Sequence, residues 1–360
     1  MAAVSGAAGA EGCEQQRVET SLSGSLHLQL GEESQVGGAR RAVAGVARRL
    51  PFGEAAAGRA GIATTELARN LLQHGGGGEL LLWWTGGDGA PRLEILALDR
   101  GPGLADVRRA FEDGYSTAGT PGTGLGAVRR AADALDVWSQ PGRGTAIWLR
   151  IGAAAAGTPF EVGAVTVPRP GEEAYGDAWA VAYTAAATTV LVGDGLGHGP
   201  MAAEASREAV RVFCGRPVAP VEPLLLSIHE GLRRTRGAAV AVARVSHEQR
   251  KMRYAAVGNI AGTVVCSDGA ARRLLTHNGT LGQGTVRVQP VSSPCEDDAL
   301  LVMHSDGVAT GWSLDDYPGL VVRTPAVIAG VLYRDHRRGR DDATVLVLKP
   351  RRPSQRSDGG

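Results

Sequence analysis

Residues 99–135 read DRGPGLADVRRAFEDGYSTAGTPGTGLGAVRRAADAL, and this stretch decides the fold of the first half of the chain. It follows the strand-like run LEILAL and ends in a helix that opens with Gly122-Thr-Gly124-Leu-Gly126. Glycines before a helix N-terminus expose backbone N–H groups at the positive end of the helix dipole, and such groups bind anions. A lone G-x-G-x-G is a weak signal, and here a loop precedes it rather than the strand of a Rossmann site.

Two further elements flank this stretch. Glu66 and Asn70 are four residues apart in a helix predicted over 61–74, so they share one helix face. An amide oxygen can complete a Mg²⁺ shell of phosphate and water oxygens, and a carboxylate can act as a general base. Asp99, in Asp99-Arg-Gly101-Pro-Gly103, can accept a hydrogen bond from the amine of adenine. Each element alone is more often a polar helix face or a turn, but in this order they indicate a nucleotide site.

On these residues the first half resembles the GHKL (Bergerat) ATPases, and most specifically the RsbT-type serine/threonine kinases of the bacterial stressosome. The similarity runs from ELARN at 66–70 to GRGT at 142–145. It implies that Glu66 activates the acceptor hydroxyl, that Asn70 binds Mg²⁺, that Asp99 reads adenine and that residues 111–117 form a lid. The ATP-binding residues that it implies are Asn70, Asp99, Gly101, Gly103, Gly122, Thr123, Gly124, Leu125, Gly126 and Thr145.

The second half concentrates aspartates beside glycines at the ends of apolar runs. If the runs after Asp177 and before Asp194 form a hairpin, those two carboxylates lie directly opposite each other and repel unless a cation lies between them. The segment 184–188, where the turn would fall, contains no Gly, Asn or Pro. Asp306 and the pair Asp341-Asp342 lie at further strand ends. Oxygen ligands of this kind suit Mg²⁺ or Mn²⁺ rather than zinc, and two such ions can orient water for phosphate hydrolysis.

Other features of this half are open to simpler interpretations. Asp88-Gly89 in the first half and Asp268-Gly269 in the second are predicted to be ordinary hairpin turns, because each lies between two strands. His198 is either a phosphate contact or a histidine at a helix start.

The second half resembles the PPM-type serine/threonine phosphatases of the SpoIIE class, with RsbX as the nearest subtype. The segments that carry this resemblance are GEEAYGDAW, VGDGLGHGPMAAEAS, AAVGNIAG, LLVMHSDGVATGW and GRDDATVLVL. It implies metal binding by Asp177, Asp194, Asp306 and Asp341, with the carbonyl of Gly195 as a further ligand. Asp342 is the less favoured member of its pair.

The expected fold class is α+β, with a GHKL ATPase α/β sandwich followed by a PPM-type α-β-β-α phosphatase sandwich. The expected boundaries are a disordered N-terminus (1–15), a histidine-kinase-like ATPase domain (16–151), a linker (152–159), a phosphatase domain (160–350) and a disordered tail (351–360).

Composition excludes several classes. The chain contains 52 Gly in 360 residues, about twice the usual share of roughly 7%. Lys251 and Lys349 are its only lysines, and neither lies in a P-loop or in the strand context of a eukaryotic-type protein kinase. A net charge of +1 gives no indication of nucleic-acid or membrane binding. Four dispersed cysteines and no signal pattern are typical of a cytoplasmic protein.

We therefore expect a bifunctional cytoplasmic regulator of a sigma-factor partner-switching pathway. One half uses ATP and Mg²⁺ to phosphorylate a STAS-domain partner, and the other uses two Mn²⁺ or Mg²⁺ ions to remove such phosphates. A sigma factor or a second phosphatase is the other class of partner that the resemblance allows. The alternative is an ATP-binding anti-sigma or sensor module that transfers no phosphate and controls an active phosphatase domain.

Overall fold

A computed structural model of the chain describes residues 17–21, 24–85, 91–111, 124–153, 158–266, 269–295 and 298–351. The segment 1–15 and residues 352–360 of the tail expected to be disordered lie outside the described residues, as do Asp88-Gly89, Asp268 and residues 154–157 of the expected linker. Arg351, the first residue of that expected tail, is ordered instead, because its N–H donates to Pro159 O at 2.8 Å. Across the described ranges no helix is long and apolar enough to cross a membrane.

Sixteen strands and seven helices are described. In chain order they are β1 (Arg17–Thr20), β2 (Ser25–Leu30), α1 (Ser34–Arg49), α2 (Glu54–Gln73), β3 (Gly78–Thr85), β4 (Arg92–Leu98), α3 (Val107–Ala110), α4 (Gly124–Ala131), β5 (Ala134–Ser139), β6 (Thr145–Gly152), β7 (Phe160–Val167), β8 (Asp177–Tyr183), β9 (Ala187–Gly195), α5 (Pro200–Cys214), α6 (Val221–Leu232), β10 (Ala238–Ser246), β11 (Lys251–Val257), β12 (Ala261–Val265), β13 (Ala271–Arg273), β14 (Val291–Pro294), β15 (Leu300–His304), α7 (Pro325–His336) and β16 (Ala343–Pro350).

The first half is one antiparallel sheet with helices on one face. The strand order is β2-β3-β4-β6-β5. The apolar stripe of α2, including Leu67 and Leu71, packs with buried residues of α1 and α4 against the sheet. Alternate strand residues point to opposite faces, so Leu80 and Ile95 join this core while Leu81 and Leu96 face the other side.

Two helix predictions in this half were wrong in extent. The helix expected over 61–74 begins at Glu54, because the Ala-rich segment before Gly61 continues the helix. The helix expected over 124–135 ends at Ala131, and Ala134–Ser139 form β5 instead. Val137 and Trp138 of β5 are buried on opposite faces of the sheet, and these tertiary contacts decide the strand.

The second half is a two-layer β-sandwich with helices outside, as expected from the sequence. A six-stranded sheet, β1-β8-β9-β10-β11-β14, faces a five-stranded sheet, β13-β12-β15-β16-β7. Buried aliphatic and aromatic side chains fill the space between the two sheets. Helices α5 and α6 cover the six-stranded sheet through a second core.

Helix α7 lies between the two halves, and the sequence did not predict it. Every residue from Pro325 to Arg334 is buried, because the helix packs on β7 and β16 on one side and on the first-half sheet on the other. Close approach depends on two glycines. A methyl group at Gly330 would lie 2.6 Å from Leu96 Cδ2, and one at Gly163 would overlap the backbone N of Ala326. The two halves therefore share one hydrophobic core.

Strand β1 corrects the expected start of the first domain. Residues 16–151 were assigned to the ATPase domain, but Arg17–Thr20 pair with β8 of the six-stranded sheet. A buried ion pair also links β1 to the first-half sheet, since Arg92 Nη2 of β4 lies 2.6 Å from Glu19 Oε2. The first described strand of the chain therefore belongs to the six-stranded sheet of the second half, and the strands of the first-half sheet follow it in sequence.

Candidate active sites

The first candidate site brings α2 against the start of α4. Glu66 and Asn70 lie one turn apart, and a methyl group at Gly124 would be 3.3 Å from Glu66 Oε2 and 3.6 Å from Asn70 Oδ1. The start of α4 is therefore in close contact with both side-chain oxygens. Asn70 Nδ2 is buried and has no hydrogen-bond partner among the described residues. The carboxylate, the amide and the helix N-terminus therefore converge, as the spacing of the sequence motifs predicts.

Asp99 is held at the end of β4 by backbone groups. Its Oδ1 accepts hydrogen bonds from Gly101 N at 2.8 Å and Thr145 N at 3.2 Å, and its own N–H donates to Thr145 O. Burial raises the pKa of the Asp99 carboxyl above its usual range, while those two N–H groups act in the opposite direction. With Oδ1 satisfied from inside the fold, Oδ2 is the oxygen left for an exocyclic amine.

The other residues that are predicted to bind ATP lie in the loop after Asp99 and at the start of α4. Gly101 and Gly103 lie in the loop after Asp99, and a Cβ at either position would collide with neighbouring backbone. Leu125 and Gly126 lie in the first turn of α4. Gly122, Thr123 and all but the first residue of the expected lid at 111–117 lie outside the described residues, so their predicted roles stay predictions.

The second candidate site begins at the open end of the β8–β9 hairpin. Asp177 and Asp194 are directly opposite each other in the register, which confirms the hairpin expected from the sequence. The turn needs no glycine, because Thr184 exchanges hydrogen bonds with Ala187 through both its backbone and its hydroxyl. The hydrogen bonds of the Thr184 hydroxyl stabilise the turn, so the Gly, Asn or Pro that turns usually contain is not needed.

The charges of several carboxylates act on one another around this hairpin end, namely those of Asp177, Asp194, Asp306, Asp341 and Asp342. Burial and, after it, the charges of Asp306 and Asp341 raise the pKa of the Asp194 carboxyl to about 7. Burial and the charge of Asp194 hold the pKa of Asp177 well above its usual range. Asp177 Oδ2 accepts a hydrogen bond from Ser305 Oγ at 2.6 Å, whereas its buried Oδ1 has no partner among the described residues. Such mutual repulsion is relieved when a cation lies among the carboxylates.

The donor set fits a magnesium or manganese site that is completed by water. Within the described part of the chain, no three His, Cys, Asp or Glu side chains are close enough together to surround one ion. Mg²⁺ commonly takes only one or two carboxylates and keeps several waters. The carboxylates and the unpartnered oxygen of Asp177 match that pattern. The backbone of Gly195 lies beside them at the end of β9, where a Cβ would overlap Ala202 O.

Asp341 and Asp342 have different surroundings, in keeping with the choice made from the sequence. Asp341 lines an open cavity of about 500 Å³ together with Asp194, Asp306 and His198. Asp342 is buried, and its Oδ1 accepts hydrogen bonds from Arg169 N and Gly176 N, both at 3.1 Å, although its charge still acts on Asp177 and Asp194. Asp342 therefore shapes the loop that precedes Asp177.

The sequence alone does not settle the roles of two residues that line this cavity, His198 and Asn259. His198 pairs with Glu172 at 2.9 Å and is half exposed at the rim of the cavity, so both interpretations of it stay open. Asn259 lies in the segment AAVGNIAG, and the sequence predicted no individual role for it. Its Nδ2 donates to Asp306 Oδ2 at 2.6 Å and lies 3.4 Å from Asp194 Oδ2, which makes it the link between these carboxylates. The Gly258-Asn259 pair after β11 is the only sequence signal for it.

Comparison with known protein families agrees with this geometry. The family model for the histidine kinase-like ATPase domain matches residues 31–151, and the model for stage II sporulation protein E (SpoIIE) matches residues 184–351. The chain therefore joins a histidine kinase-like ATPase domain to a SpoIIE phosphatase domain.

Two curated relatives make the assignment more specific. Over 116 residues the chain is 39% identical to the serine/threonine-protein kinase RsbT of Bacillus subtilis (strain 168), a match that covers 31% of this chain and 87% of RsbT. Over 117 residues it is 25% identical to the phosphoserine phosphatase RsbX of the same strain, covering 32% of this chain and 59% of RsbX. The chain belongs to the RsbT kinase family through its N-terminal half, and it is an enzyme that combines this domain with a PPM-type phosphatase domain.

Solved structures include two partial likenesses. A chain from a structure described as the bacterial stressosome, a modular system adapted to control secondary messenger signalling, is 30% identical, with a TM-score of 0.49 over 53% of this chain and 99% of that one. RsbX in complex with magnesium is 19% identical, with a TM-score of 0.47 over 53% of this chain and 96% of that one.

Proposed function

We propose that the chain both adds and removes phosphate on serine or threonine of a STAS-domain partner in a sigma-factor partner-switching pathway. The first half transfers phosphate from ATP, and the second half hydrolyses the phosphoprotein. Support comes from the RsbT and RsbX relationships and from two sites that are each assembled from widely separated segments.

The convergence of Glu66 and Asn70 on Gly124 carries the kinase proposal. In this mechanism the Glu66 carboxylate accepts the proton of the incoming hydroxyl, and Asn70 Oδ1 supplies one oxygen ligand for Mg²⁺. The backbone N–H groups at the start of α4 face the phosphates, and Asp99 Oδ2 accepts from the adenine amine. Bound Mg²⁺ supplies charge neutralisation for the phosphates.

The opposition of Asp177 and Asp194 carries the phosphatase proposal. Together with Asp306 and Asp341, these carboxylates would hold Mn²⁺ or Mg²⁺, and the bound ions would supply an activated water and neutralise the phosphate charge. Ser305 fixes one oxygen of Asp177, and Asn259 holds Asp306 beside Asp194, so the ligand positions are set before binding.

A second candidate function is favoured by the shared core around α7. A phosphatase that is packed this closely against an ATP-binding domain can be controlled by nucleotide without any phosphate transfer. Such a sensor would need Asp99 and Asn70 but not the carboxylate of Glu66.

Incubation of the purified chain with labelled ATP, Mg²⁺ and STAS-domain proteins from the same genome tests the proposal. The wild-type chain should label one of them, and Glu66→Gln should lower the rate by about 10²- to 10⁴-fold, the usual contribution of a general base. Unchanged labelling by Glu66→Gln would refute the role of Glu66. ATP binding without labelling of any partner would favour the sensor.

A further inference from the structure

The phosphatase half supplies a side chain to the nucleotide site of the other half. Arg334, in the last turns of α7, extends into the first-half sheet, and its Nη1 donates a hydrogen bond of 2.8 Å to the backbone carbonyl of Asp99. Its side chain is only 3% exposed, so this bond is shielded from water. A charged donor in such surroundings makes one of the stronger kinds of hydrogen bond.

This bond completes the set that positions Asp99. Three other hydrogen bonds hold the residue: its N–H to Thr145 O, and its Oδ1 from Gly101 N and Thr145 N. All three come from the ATPase half. Since binding sites require side chains to be placed within about 0.5 Å, the anchor on the Asp99 carbonyl affects where its free Oδ2 meets a base.

Arg334 is itself rigidly held. Its Nε and Nη2 donate to the carboxylate of Asp335 at 2.8 and 2.9 Å, and its guanidinium carbon lies 5.6 Å from the centroid of the Trp138 ring. Its carbonyl accepts a hydrogen bond from Arg100 Nη2, which comes from the residue after Asp99. The side chain of Arg334 thus bonds to the backbone of Asp99, and the side chain of Arg100 bonds to the backbone of Arg334.

Helix α7 is also fixed to the ATPase sheet at its two ends. At its start, Asp136 Oδ2 of β5 accepts from Thr324 N at 2.6 Å. At its end, Arg337 Nη2 lies 3.1 Å from Glu79 Oε1 of β3. Helix α7 is thus held at both ends independently of Arg334, and Arg334 is the residue of α7 whose side chain bonds to the Asp99 carbonyl.

We propose that Arg334 is a positioning residue of the nucleotide site, and that the phosphatase half thereby sets the adenine selectivity of the kinase half. This proposal rests on the proposed role of Asp99 in reading adenine. Guanine carries a carbonyl where adenine carries its amine, so a well-placed carboxylate accepts from adenine and repels guanine.

Equilibrium binding of ADP and GDP to the full chain, each with Mg²⁺, tests the proposal. Arg334→Met should raise the Kd for ADP about tenfold, the equivalent of about 1.4 kcal/mol, and should leave the Kd for GDP nearly unchanged. The ratio of the Kd for GDP to the Kd for ADP, which measures the selectivity for adenine, therefore falls about tenfold. A general loosening of the fold would weaken the binding of ADP and GDP equally and would leave the ratio of their Kd values as in the wild-type chain.

Two variants provide the controls. Arg337→Met removes the arginine that follows α7 at its C-cap, which also bridges the halves but bonds to Glu79 rather than to Asp99, and it should preserve the ratio. Arg334→Lys keeps a donor near the Asp99 carbonyl and should restore part of the selectivity, provided that thermal unfolding shows a folded chain.

The outcomes separate the two proposals. A wild-type chain that binds neither nucleotide refutes the proposed function and the inference with it. A wild-type chain that prefers ADP, together with Arg334 variants that keep the same ratio, refutes the inference alone. If Arg337→Met also lowers the ratio of the Kd for GDP to the Kd for ADP, general packing rather than Arg334 sets the selectivity.

Discussion

The substitution Gly330→Ala tests the close packing between α7 and the ATPase sheet. The added methyl group would lie 2.6 Å from Leu96 Cδ2 and 3.2 Å from Leu98 Cδ2, where both leucines are fully buried. Extra methyl groups in a well-packed core typically cost about 1–3 kcal/mol. The same change inside a helix gains about 1 kcal/mol from helix propensity, so the two effects oppose each other.

A matched control isolates the packing effect. Gly58 lies inside α2, is exposed, and would meet no atom within 4 Å if it carried a methyl group. Gly58→Ala should therefore raise the free energy of unfolding by the propensity gain of roughly 0.5–1 kcal/mol. The difference between the two variants, about 1–3 kcal/mol, is the cost of crowding the shared core.

Calorimetric unfolding of both variants measures this difference. At an unfolding entropy of about 2.1 cal/mol/K per residue, a chain of 360 residues that unfolds as one unit shifts by about 1.3 °C per kcal/mol, so Gly330→Ala should unfold roughly 1–4 °C below Gly58→Ala. Equal shifts in the two variants would contradict the packing described around α7. A lower Tm confined to one of two separate transitions would contradict a core shared by both halves.

Two further predictions concern single carboxylates. Asp341→Asn should abolish Mn²⁺-dependent phosphatase activity with an unchanged Tm. Asp342→Ala should instead lower the free energy of unfolding by about 1–3 kcal/mol, because the buried N–H of Gly176 and the half-buried N–H of Arg169 lose their acceptor. The opposite pattern would exchange the roles of the two aspartates. Burial would raise the pKa of Glu79, but the hydrogen bond from His27 and the charge of Arg337 hold it below its ordinary 4.5. Its stabilisation is therefore present above pH 4.5 and lost as the pH falls through the lower folded value, so Glu79→Gln should flatten the stability profile there; an unchanged acid limb would refute this.

Local sequence patterns predicted much of the fold and some of the contacts within both candidate sites. The apolar runs around Asp177 and Asp194 were long enough to determine a register, and that register is correct. The order of Glu66, Asp99 and Gly124 along the chain indicated a nucleotide site, and Glu66 does meet Gly124 in the fold. In both cases the signal lay in short segments whose spacing has one simple structural solution.

Features that depend on contacts between the halves could not be predicted in this way. Helix α7 reads PAVIAGVLYRDH, and it has no polar face because it is buried on both sides, so the usual period of an amphipathic helix is missing. Strand β1 is four residues long and pairs with a strand about 160 residues away. Arg334 acquires its role only because α7 lies across β4, a relation that no local pattern contains.

The central claim is that one chain both adds and removes phosphate on the same class of partner, and a time course of partner phosphorylation tests it most directly. With labelled ATP, Mg²⁺ and Mn²⁺, Asp194→Asn should accumulate more phosphorylated partner than the wild-type chain, and Glu66→Gln should accumulate almost none. Phosphorylation by Glu66→Gln at the wild-type rate, or equal accumulation by the wild-type and Asp194→Asn chains, would contradict the account.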